Sequence, residues 1–79
     1  MGKGGIELIS YKPLWKTMKH KNITTYTLIT RHGISKQTIH KLKHDESTTL
    51  NTINNLCTIL QCRIEEVVLI TPDKIEINV

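Results

Sequence analysis

Gly33 stands between two short apolar stripes, and that arrangement limits what the chain can become. Upstream, Thr24 is an expected N-cap for a helix over about 25–32, with Leu28 and Ile29 turned inward. Gly33 tolerates the left-handed conformation that ends one helix and opens a tight turn. Ile34 follows as an apolar plug. Ser35 is the expected cap of a further helix, whose buried stripe is only Ile39 and Leu42. Two short helices joined by so brief a Gly-led turn, over Thr24–Leu42, give helix-turn-helix geometry, with the motif spanning residues 24–43.

That geometry lays its second helix in the DNA major groove, N-terminal residues on base edges, while the first crosses the backbone. The side chains suit this. Lys36 can reach guanine O6 and N7, and Gln37 can pair with adenine through two hydrogen bonds. Ser35 suits a phosphate or thymine contact, and Lys41 and Lys43 suit phosphates. His40 and His44 are further candidates for phosphate. Tyr26 has two open readings, packing on the first helix or reaching a phosphate with its hydroxyl.

Charge divides the same way. Residues 1–44 carry nine Lys/Arg against one acid, Glu7, and so +8; residues 45–79 carry −4, giving the net +4. A basic half beside an acidic half points to a polyanion-facing side. The same split also fits a lysine-rich solvated surface.

Around this unit the pattern is helical with strands at the ends. Ile6–Tyr11 reads as a short strand. Pro13 opens a first helix, with Leu14, Trp15 and Met18 on its apolar face; Asn22 marks its stop and Ile23 packs back. Thr49 is the expected cap of a fourth helix carrying Leu50, Ile53, Leu56, Cys57 and Leu60 on one face. Ile64–Ile70 reads as a short fifth helix, with Glu65 and Glu66 in its first turn and an ambiguous β-branched end. Lys74–Val79 alternates as a half-buried strand. The expected fold is all-α, five short helices in one domain over residues 6–79, behind a flexible lead at 1–5.

The stretch Ile23–Leu42 resembles the core motif of Cro-repressor-type (XRE family) regulators, on the joint spacing of Leu28, Gly33, Ile34, Ile39 and Leu42. Thr49–Leu60 is similar to that family's fourth helix and Gln61–Val68 to its fifth, so the likeness covers about Pro13–Ile70. It implies bacterial or phage transcription control. The family's base-reading positions fall on Ser35, Lys36, Gln37 and Lys41. Its backbone clamps fall on Thr25 and on the loop near His44. Two positions depart: Thr25 replaces a frequent glutamine, shortening the clamp, and Ile29 replaces a small residue, setting the two helices slightly apart.

Other classes find little support. There is no paired-carboxylate motif, nucleophile elbow or phosphate-cradling glycine loop, so no enzyme or cofactor is expected. Cys57, Cys62 and the histidines match no zinc spacing, so no metal site is expected, and the cysteines read as small core hydrophobes. His32 reads as a helix-end residue favoured by the dipole. No apolar run approaches the roughly 20 residues that cross a bilayer, and the start is no secretory signal, so the expected location is cytoplasmic. The expected function is sequence-specific DNA binding by a transcriptional regulator, with repression as the expected sign. The competing reading is a protein-interaction module, antitoxin-like, on the same scaffold. A homodimer joined through the terminal strands is expected, against strands that pair within one chain.

Overall fold

The computed structural model describes residues 8–71. Strand β1 (Ile9–Ser10) leads into helices α1 (Lys12–His20), α2 (Thr25–His32), α3 (Lys36–Lys43) and α4 (Leu50–Leu60). A 3-10 turn (Ile64–Glu66) and strand β2 (Leu69–Ile70) follow.

Three helices begin identically. Thr24, Ser35 and Thr49 each accept a 3.1 Å hydrogen bond from the backbone N–H three residues on, at Thr27, Thr38 and Thr52. The hydroxyl pairs Thr24–Thr27, Ser35–Thr38 and Thr49–Thr52 also meet, at 3.1, 2.9 and 3.1 Å. Each is an N-cap whose hydroxyl is backed by a threonine hydroxyl at the third position, where a capping box would carry a carboxylate.

The helices also stop alike, each on a residue with positive φ: Asn22 (58°), Gly33 (70°), Asp45 (55°) and Gln61 (51°). Beyond each of them a backbone N–H reaches back into the helix: Ile23 to Met18, Ile34 to Leu28, Glu46 to Lys41 and Cys62 to Cys57, at 2.9, 3.0, 2.9 and 3.0 Å. These bonds satisfy carbonyls that the helix ends leave free. At Gly33 an added Cβ would meet nothing within 4 Å, so the glycine is required by its φ, not by crowding.

One apolar cluster holds the elements together: Tyr11, Leu14, Met18, Leu28, Ile34, Ile39, Leu42, Ile53, Leu56, Leu60 and Val67. No polar or charged residue is buried among the described residues. Ile23, Ile29, Cys57 and Cys62 pack against the cluster half-buried. Burial and the neighbouring Cys57 and Glu66 push the Cys62 thiol above its ordinary range.

Four expectations need correction. Ile64–Ile70 is no fifth helix. A 3-10 turn closes with Glu66 Oε1 accepting from Arg63 N–H at 3.0 Å. Val67 then drops fully into the core. The chain leaves as β2, paired antiparallel with β1, Ile9 opposite Ile70 and Ser10 opposite Leu69. The β-branched character of this segment favours that outcome once a partner strand is at hand. Second, Leu50 is 78% exposed, because the first residue of α4 projects past the core instead of over it. Third, Trp15 packs against the core as its place on the apolar face implies, but stays half-buried at the edge while Leu14 and Met18 fill the centre. Fourth, Tyr11 is not a strand residue. It sits just before α1, 1% exposed, its N–H donating to Asp45 Oδ1 (3.0 Å) and its hydroxyl to the Glu46 carbonyl (2.8 Å). The expected strand at Lys74–Val79 and the lead at residues 1–5 lie outside the described residues.

Candidate nucleic-acid interface

α3 is fixed from below and at both ends, which leaves its outer face free. Ile39 and Leu42 anchor it in the core. Ser35 caps its start, and the positive-φ Asp45, tied to Tyr11 N–H, fixes its end. At 3.6 residues per turn, Gln37, His44, His40 and Lys41 fall within about 50° of the line opposite Ile39 and Leu42, and Lys36 and Lys43 lie together on the flank toward α2. All six are exposed.

Two shallow depressions run along α3. The one toward α2 has a volume of about 300 Å³ and is lined by Thr25, Ile29, Lys36, Ile39, His40 and Lys43. The other, about 490 Å³, is lined by Ser35, Gln37, Thr38, His40, Lys41 and Glu46. His40 belongs to both. Seven of the eight residues expected at the site, Thr25, Ser35, Lys36, Gln37, His40, Lys41 and Lys43, therefore line these two grooves. The eighth, His44, has its ring 4.1 Å from that of His40. Ile29 is half-buried between α2 and α3, as its bulk requires. Tyr26 is 73% exposed, which disfavours the packing reading.

Electrostatics fit an anionic partner. Neither α2 nor α3 has an acid in its first turn, and the last turns carry Arg31 and His32, and His40, Lys41 and Lys43. α4 likewise starts without an acid. The free N–H groups of such helix starts attract phosphate. A carboxylate capping box would have cancelled part of that attraction. The threonines keep the cap without the charge.

Two features at this site escaped the sequence reading. Glu46 stands beside Gln37 and Lys41, an acid at the edge of a basic face. The Tyr11 clamp on Asp45 and Glu46 joins residues 34 and 35 positions apart. Nothing local in the chain announces it.

The model of the Cro/C1-type HTH DNA-binding domain matches residues 13–73. This chain belongs to the Cro/C1-type helix-turn-helix family. Its fold is similar to the crystal structure of the transcriptional regulator VanUg, with 28% identity, a TM-score of 0.75, and 82% of this chain and 87% of that one covered. A search of curated proteins gave no match. Within the Cro/C1-type fold, α2 and α3 are the motif's two helices. No helix among the described residues is long and apolar enough to cross a membrane.

Proposed function

We propose that this chain is a sequence-specific DNA-binding transcriptional regulator, acting as a bacterial or phage repressor. Residues 35–43 read the major groove. The observation that carries this reading is the outer face of α3: Gln37, His40, Lys41 and His44 along a crest, Lys36 and Lys43 on the flank toward α2, and a groove on each side. Lys36 and Gln37, in the first turn, are placed to meet base edges. Lys41 and Lys43, further along the helix, meet phosphates. Thr25 starts α2 at the edge of one groove and serves as a short clamp on the backbone.

A homodimer fits the reading. Ile64, Leu69 and Ile70 are 48%, 52% and 62% exposed on the 3-10 turn and β2. The β1–β2 ribbon leaves edges that invite another strand. A palindromic site requires two α3 helices about one DNA turn apart, roughly 34 Å, and a two-fold axis is what supplies such a pair. Sedimentation of the full chain and of a Leu69→Lys, Ile70→Lys form should give dimer and monomer respectively. A full chain that stays monomeric at high concentration, free and on DNA, removes the dimer and leaves the DNA reading in place.

The test of function is selection from random duplexes followed by titration at two salt concentrations. A recovered consensus and an affinity that falls with salt support the proposal, with each neutralised phosphate adding about −0.9 to the log–log slope. No consensus and a flat salt response favour a protein-interaction module instead.

A further inference from the structure

His40 and His44 are one helical turn apart. His44 is the C-cap residue of α3, its N–H donating to the His40 and Lys41 carbonyls at 3.1 and 3.2 Å, so it sits directly over the last turn that carries His40. Their ring centroids are 4.1 Å apart, with the planes inclined at 40°. Both residues are exposed.

We propose that the His40–His44 pair binds a single transition-metal dication of the copper, nickel or zinc class, each imidazole giving one ring nitrogen and water filling the remaining positions. Two histidines four residues apart on one helical face is the spacing that zinc-binding helices use. Imidazole nitrogen selects these borderline ions, whereas magnesium and calcium take oxygen donors. The rings are on the solvated crest, where no core needs filling, so side-chain rotation can bring both nitrogens to one ion at little cost.

The surroundings decide what sort of site this is. Lys41 and Lys43 on α3 repel a cation, while Glu46, from the following loop, shares a groove with His40 and offsets part of that repulsion. Among the described residues, no group of three or more His, Cys, Asp and Glu gathers to hold a metal. The site thus has two protein ligands and open positions. It is an exchangeable surface site, not the structural zinc centre whose spacing the sequence lacks. Its place on the α3 crest would set a dication on the face assigned to DNA, a consequence that rests on the DNA reading; the metal binding does not.

The test is a titration of the full chain with Ni²⁺ alone, followed by calorimetry and by the imidazole proton resonances. At about pH 7.5, one ion per chain should bind, and paramagnetic broadening should centre on His40 and His44 and spare His20 and His32. His40→Gln and His44→Gln, both at exposed positions, should each lose the saturable binding while keeping the helical circular dichroism. Absence of binding, binding that survives either variant, or broadening centred on other residues overturns the proposal. No DNA is present, so failure here leaves the DNA-binding reading untouched.

Discussion

α3 and α4 follow one another in the chain and are built to opposite ends. Both start on a hydroxyl cap with a 3.1 Å bond, and both stop at a left-handed residue. α3 buries Ile39 and Leu42 and carries three lysines; α4 buries Ile53, Leu56 and Leu60 and carries no charge. The same local signals therefore make both helices. What differs is the outward face. α4 turns asparagines and threonines to water and is there to be packed upon. α3 holds itself with two side chains and displays the rest.

The largest effect that sharpens the contrast lies within α4. Leu56 is fully buried and Leu50 is 78% exposed. Leu56→Ala should cost about 2–5 kcal/mol by leaving a cavity. Leu50→Ala should stay within about 0.5 kcal/mol. Denaturant unfolding of the two variants reads the difference directly. Equal losses would mean that α4 is packed along its whole length, as its sequence stripe suggested.

The joint between the helices comes next. Tyr11→Phe removes the hydroxyl bond to Glu46 and should cost about 0.5–1.5 kcal/mol. It should also change the response to alkali. Burial, and then the Asp45 carboxylate, raise the Tyr11 pKa above its ordinary 10.0. The folded state thus favours the neutral phenol. Its contribution is whole below about pH 10 and is lost as pH rises through the raised value. Stability of the native chain should fall across that window, and the part due to Tyr11 should vanish in the Phe variant.

How far the chain could be read in advance follows from the same elements. The starts of α2, α3 and α4 were legible because Thr24, Ser35 and Thr49 act on backbone three residues away. Gly33 and Asn22 were legible as stops for the same local reason. Asp45 and Gln61 were not, since a non-glycine residue takes positive φ only when its surroundings hold it there, and for Asp45 that surrounding is Tyr11. The segment after Gln61 depends on β1, some 60 residues earlier in the chain. Its helical reading weighed only local charge and spacing. The site was the more legible part, because the residues on α3 and its cap share one helix. Glu46, Thr25 and Ile29 come from outside it, and Thr25 rested on family resemblance alone.

Ser35→Asp separates the two duties of α3. Aspartate is as good a cap as serine and suits the helix dipole, so stability should hold or rise by a few tenths of a kcal/mol, at most about 1. The added carboxylate faces the groove, so DNA affinity should drop at every sequence. A variant that kept both stability and affinity would move the DNA face away from the start of α3. Lys43→Ala should have the smallest effect on the fold, within about 0.5 kcal/mol. It should lower affinity for all duplexes alike and reduce the salt slope by about 0.9.

The central claim, that the first turn of α3 reads bases, is tested most directly by binding of Gln37→Ala to a selected duplex and its single-base variants. The native chain should discriminate by roughly 1–3 kcal/mol at each contacted base pair, and Gln37→Ala should lose that discrimination at one position while keeping it elsewhere. A uniform loss across all duplexes, matching that of Lys43→Ala, would contradict the assignment of the reading face.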